Sequence, residues 1–215
     1  MKLSVKAQKI LQEIGKKGTK LGDLRKIAKE IKKDHLLGEE LWATGDFFPR
    51  MLAILILDPK AITPEFADRL IDDIRKGSIE EERLQLIDWF MANQLTKDKK
   101  LIAGILLWQN SNEPLKRRLF WYYQGRLRWT GQTPPNNTQE LLEAIEERLL
   151  DEAPEVQWAM NFTAGWIGIF DTAYRDKCIA MGEKLGLYKD EIVPRNCSPN
   201  YLPKFIEQEV TKRKL

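Results

Sequence analysis

The chain has 215 residues, with 35 Lys and Arg against 32 Asp and Glu, a formal charge of +3. That length can bury a substantial core without disulfide or metal staples, and so small a net charge gives no whole-molecule sign of a nucleic-acid binder. Two cysteines, Cys178 and Cys197, and the single His35 exclude a disulfide framework and the common zinc spacings.

Distribution says more than the sum. Residues 1–40 are basic, residues 112–130 more so, and residues 140–155 are acidic apart from Arg148. Lys6, Gln8 and Lys9 interrupt any apolar run at the N-terminus, and the run at 51–57 is far too short to span a bilayer. A reduced cytoplasm, with no membrane association, is the expected setting.

In chain order, Val5, Ile10, Leu11 and Ile14 mark a first amphipathic helix, broken at Gly15-Lys16-Lys17-Gly18. A second begins near Asp23, where Leu24, Ile27, Ala28 and Ile31 form one face and Arg25, Lys26, Lys29, Lys32 and Lys33 the other. That charged face reads first as solvated, and alternatively as a contact for a phosphate backbone. A short helix over 35–43 follows, with His35 in a capping or surface role at its junction. The almost wholly apolar run at 47–57 predicts a buried helix, and Thr63-Pro64-Glu65 restarts the chain with a cap and a first-turn proline. Further helices are predicted around Leu84 to Leu95, from Leu101, after Ser111-Asn112-Glu113-Pro114, near Thr138, Pro154 and Thr172, and from Leu202.

The stretch 115–129 sets five cations among five aromatic rings. Lys116, Arg117 and Arg118 cannot all face one core, so part of this helix reaches solvent or an anionic ligand. The alternative is structural: the rings fill the core while the arginines snorkel or pair with carboxylates. Trp158, Phe162 and Trp166 share one helical face, and core packing is the alternative for these too.

No run of alternating strand pattern appears. Short, numerous helices with brief links predict an all-α fold, an α-α superhelix of HEAT- or armadillo-like repeats, with a compact irregular bundle as the alternative. The whole chain, 1–215, is expected to be one such domain, with 186–215 as a capping tail. Within that tail Arg195 stands near Cys197 and could lower its thiol pKa, although a structural cysteine is the simpler reading.

Gly22-Asp23-Leu24-Arg25-Lys26-Ile27-Ala28-Lys29-Glu30-Ile31, then Leu41-Trp42-Ala43-Thr44-Gly45, Arg50-Met51-Leu52-Ala53 and Asp58-Pro59, resemble the bacterial DNA alkylation-repair glycosylases of the AlkD type. The match covers 22–73 and continues more weakly to about residue 168. These motifs are fold signatures more than catalytic ones. The resemblance implies HEAT-like helix pairs holding duplex DNA on a basic concave face, and excision of cationic purines such as 3-methyladenine and 7-methylguanine. In that family the lesion is thought to stay stacked while an acid beside the deoxyribose stabilises developing positive charge.

The family's core is a Trp followed four residues later by Asp, with an Arg and a second Trp from later helices. Carried onto this chain, Asp88 aligns with the acid and Leu84 replaces the first Trp. A gapless register from Asp58 instead places Gly77 and Glu81 there. Arg117 and Arg118 match the paired arginines, Leu115 stands where a Trp often precedes them, and Phe162 falls at the later Trp. The implied catalytic residues are therefore Asp88 and Phe162. The DNA-binding set is Lys116, Arg117, Arg118, Arg126, Arg128, Trp158 and Trp166.

A P-loop, a dinucleotide-binding glycine fingerprint, a nucleophile elbow and an HExxH motif are all missing from the sequence. The expectation is a DNA-binding helical-repeat protein without metal or cofactor, with glycosylase activity left open by the broken motif. A non-catalytic module that binds DNA structure or a protein partner is the competing reading.

Overall fold

The computed structural model describes residues 3–15, 18–195 and 197–215. Regular structure among them is helical throughout, from α1 (Val5–Ile14) to α12 (Leu202–Arg213), so the fold is all-α as the periodicities predict. Lys16 and Lys17, in the predicted break after α1, and Asn196, beside Cys197, lie outside the described residues. The chain divides into two compact units, Met1–Gly104 and Ile105–Leu215.

In the first unit α1 is followed by α2 (Leu21–Ile31), α3 (His35–Trp42), α4 (Phe47–Ile56), α5 (Pro64–Arg75) and α6 (Glu80–Asn93). The apolar run at 47–57 becomes α4, which packs against α2, α3 and α6 and buries Met51, Leu52, Ala53, Ile54 and Ile56. The last carbonyls of such a helix have no intrahelical donor. Here the buried Gln94 amide donates to the carbonyls of Ile54 and Leu57, and the Lys33 ammonium to that of Leu55 at 2.8 Å. Burial, together with nearby Lys97, pushes the Lys33 pKa down.

Side-chain oxygens cap α1, α3 and α5. Ser4, Asp34 and Thr63 accept from the backbone N–H of Ala7, Leu37 and Phe66 at 3.1, 3.2 and 3.1 Å. Asp34 is the cap, whereas His35 opens α3 with its ring 5.2 Å from Phe66. The family-like residues Trp42 and Arg50 form a packing device: Trp42 Nε1 donates to Asp73 at 3.0 Å, and the Arg50 guanidinium lies 4.9 Å from the Trp42 ring.

The hydrogen bond from Lys6, 2.7 Å away, is the main reason the Asp34 carboxyl is held below the usual Asp value. A carboxyl depressed in the folded state adds stability above its unfolded pKa, and that stability is lost as pH falls through the folded value. Denaturation of the native protein should therefore lose stability below about pH 4 faster than that of Asp34→Asn. Parallel acid profiles would contradict this.

The boundary between the units falls within α7 (Lys99–Leu106). The second unit contains α8 (Pro114–Trp129), α9 (Thr138–Arg148), α10 (Pro154–Phe170), α11 (Arg175–Leu185) and α12. Proline in the first turn of α8, α10 and α12 presets the backbone where no N–H is needed. α10 is central, packing most extensively on α8 and also on α9, α11 and α12. This explains why it is apolar around most of its circumference.

Glycines set how closely α10 is approached. A Cβ at Gly125 of α8 would lie 2.7 Å from Phe162 Cδ1, and one at Gly168 of α10 would lie 2.6 Å from Ile206 Cδ1. Gly125→Val must move the Phe162 ring or part the two helices, so a loss of about 1–3 kcal/mol is expected in chemical denaturation. An unchanged midpoint would refute the close packing.

Cys178 is fully buried and Cys197 is exposed. Burial pushes the Cys178 thiol up to about 12, so a thiol reagent near neutral pH should titrate one cysteine in the native protein and the second only after unfolding. No helix among the described residues is long and apolar enough to cross a membrane.

Candidate nucleic-acid interface

Spacing by four places Trp158, Phe162, Trp166 and Phe170 in a row along α10. Their rings are in sequential contact. Trp158 and Phe162 stack at 5.1 Å, Phe162 meets Trp166 edge-on at 5.9 Å, and Trp166 and Phe170 stack at 5.7 Å. Sequence periodicity identified the first three members. Phe170 continues the same pattern, and a longer window finds it.

Other helices widen the row into a surface. From α8, Tyr122 meets Phe162 edge-on at 5.1 Å, and the exposed Trp129 stacks on Trp166 at 6.0 Å. From α12, Phe205 meets Trp166 edge-on at 5.6 Å. Cations lie over these faces: Arg118 is 4.6 Å from the Trp158 ring, Arg126 is 5.6 Å from Trp129, and Arg213 is 4.9 Å from Trp166. Neither Phe205 nor Arg213 carries a sequence signal for this role, because α12 meets α10 only through tertiary packing.

The five cations of α8 differ in what holds them. Arg117 grips Glu152 with two nitrogens at 2.8–3.1 Å and donates to the Ser111 carbonyl at 2.7 Å. Arg118 is 4% exposed and donates to the Glu155 carbonyl at 2.8 Å. Arg128 is also buried, donating at 3.0 Å to both the Gln124 carbonyl and Thr138 Oγ1. Lys116 and Arg126 are half-buried, with Lys116 lying 5.2 Å from the Trp108 ring. The acidic stretch 140–155 thus supplies the carboxylate that partners Arg117.

Arg213 and Lys212 flank the buried Glu209, at 2.9 and 3.2 Å. Burial works to raise the Glu209 carboxyl, but the hydrogen bonds from these two cations outweigh it and hold the pKa below the usual Glu value. Two cations against one carboxylate leave this side of α12 with net positive charge.

Asp88 belongs to the first unit, half-buried on α6. Next to it, Trp89 donates Nε1 to the Met51 carbonyl at 3.1 Å, and Arg25 from α2 lies 4.9 Å from its ring. Sequence reasoning passed over Trp89 and Arg25 as a pair, since they lie on helices far apart in the chain. Glu81, the acid of the other register, is exposed in the first turn of α6 and accepts from Gln85. Among the described residues no group of three or more His, Cys, Asp or Glu is placed to hold a metal ion.

A solved member of "a new family of proteins related to the HEAT-like repeat DNA glycosylases with affinity for branched DNA structures" superposes with a TM-score of 0.71. The two are 23% identical, over 99% of this chain and 90% of that chain. At that identity the likeness establishes the class of fold: a HEAT-like helical-repeat protein. The family model described as DNA alkylation repair enzyme matches residues 5–172, and the chain belongs to that family. No curated protein matches the sequence.

Proposed function

We propose that the protein binds DNA, using cations on α8 and α12 for phosphate and the aromatic row of α10 for sugar and base. The observation that carries this reading is the continuous ring surface from Trp158 to Phe170 with Arg118, Arg126 and Arg213 over its faces. Aromatic faces stack on bases of any sequence, and flanking cations track the backbone. Lys116 and Arg126 contribute phosphate contacts, and Arg117, Arg118 and Arg128 orient α8 through their internal partners. Half-buried Trp158 supplies stacking area, and Trp166, 4% exposed, supports the row from beneath.

Duplex affinity measured across salt concentration tests this. Each phosphate contact contributes about −0.9 to the slope of log K against log salt. The double variant Lys116→Gln, Arg126→Gln should flatten the slope by about two and weaken all sequences alike. Binding indifferent to salt, or unchanged in the double variant, would overturn it.

The same reading extends to excision of cationic N3- or N7-alkylpurines, with Asp88 as the carboxylate that stabilises charge on the sugar. As the C1′–N bond breaks, its electron pair neutralises the departing base and positive charge moves to the sugar. Water then adds at C1′ and gives up a proton. A negative group near C1′ lowers the energy of that charge. Binding DNA structure without excision is the second reading, favoured by Leu84 at the aromatic position and by the branched-DNA affinity of the structural relative.

A further inference from the structure

The second unit contains a pocket of about 320 Å³ between the aromatic row and the C-terminal segment. One wall is Phe162 and Trp166 of α10 with Trp129 of α8, and the other is Phe205 and Arg213 of α12 with residues 198–200. The second wall is anchored. Asn161 Nδ2 donates to the Asn200 carbonyl at 2.7 Å, and Asn200 Nδ2 donates to Glu191 at 2.8 Å. Beneath it, Ile206 of α12 is seated at Gly168.

Three features define what fits. The volume is near the low end of roughly 300–1,000 Å³ for small-ligand pockets, so it takes one planar group with its sugar and not a base pair held between neighbours. The lining is aromatic on both sides, which suits a flat π system. Trp166, 4% exposed and lining the pocket, keeps a buried Nε1–H with no acceptor among the described residues. A buried donor without an acceptor carries a desolvation cost.

Charge decides between a cationic and a neutral occupant. Arg213 already covers the Trp166 face, and Lys212 and Arg213 together exceed the charge of Glu209. A second cation would be repelled, whereas a neutral base carrying an anionic phosphate is attracted.

We propose that this pocket receives a single unpaired, uncharged nucleobase displaced from the stack, so that the protein prefers DNA with an extrahelical nucleotide over fully paired duplex. The inference rests on the DNA-binding reading above and adds a ligand for a site that paired duplex cannot enter.

The test uses two duplexes of identical sequence, one carrying a single bulged 2-aminopurine, with affinity measured at one salt concentration. The protein should bind the bulged duplex at least about tenfold more tightly, the size of one base–aromatic stack. The 2-aminopurine emission should be quenched by the surrounding rings. Trp129→Ala should bring the affinity ratio close to one, and Trp129→Phe should restore part of it. Trp129 is 41% exposed, so its loss is tolerated by the fold, which far-ultraviolet circular dichroism would verify. Equal affinity for the two duplexes overturns the pocket assignment while leaving DNA binding intact, as does a preference that persists in Trp129→Ala. Failure to bind either duplex overturns the DNA-binding reading and this inference with it.

Discussion

Replacing Asp88 with asparagine is expected to slow release of 3-methyladenine and 7-methylguanine from methylated duplex DNA by roughly 10²–10³-fold, the usual loss when one charge-stabilising group is removed. Asparagine keeps the size and removes the charge, so the change reads electrostatics rather than packing. A unit charge about 4 Å from a developing cation contributes about 4 kcal/mol at the effective dielectric of a protein surface, which corresponds to that range of rates. Asp88 is half-buried beside Trp89, so its field is less screened than that of a solvated carboxylate. Released base would be quantified against spontaneous depurination. Wild-type release no faster than the spontaneous rate would eliminate excision and leave the structure-binding reading. If Glu81→Gln abolishes release and Asp88→Asn does not, the gapless register is the correct one.

The Arg117–Glu152 pair gives the second large effect. Its side chains are 18% and 13% exposed, and the guanidinium is held by both carboxylate oxygens and by the Ser111 carbonyl. Removing one partner leaves the other poorly solvated without a counter-charge, so Glu152→Ala should cost about 3 kcal/mol of unfolding free energy. That lies at the lower end for a buried pair because both groups retain some contact with water. The same measurement on Arg117→Gln separates two roles. A positioning residue loses stability with little change in the salt slope of DNA binding, whereas a phosphate contact flattens the slope by about one. A stability loss under about 0.5 kcal/mol would place the pair among ordinary surface ion pairs.

Much of the fold was legible because its signals are local. The apolar run at 47–57, the cap and proline at Thr63-Pro64, and the i, i+4 spacing of Trp158, Phe162 and Trp166 each act within a few residues. The partners of the arginines were not legible. Arg117 meets a glutamate 35 positions away and Arg118 a carbonyl 37 away, and no periodicity encodes such distances. For the same reason the acidic composition of 140–155 carried no sign that Glu152 is committed to an ion pair.

The basic aromatic stretch at 115–129 illustrates the division. From residue types and spacing alone it had to be a helix carrying more cations than one core could accept, and the motifs at 22–59 tied it to a family. Which partners hold Arg117, Arg118 and Arg128 depended on where Glu152, Glu155 and Thr138 came to lie. The aromatic pocket exists only because α12, over thirty residues beyond α10, seats Ile206 at Gly168 and brings Phe205 and Arg213 over Trp166. Helix formation follows short-range backbone geometry, whereas ion pairing and cavity shape follow close packing between helices distant in the chain.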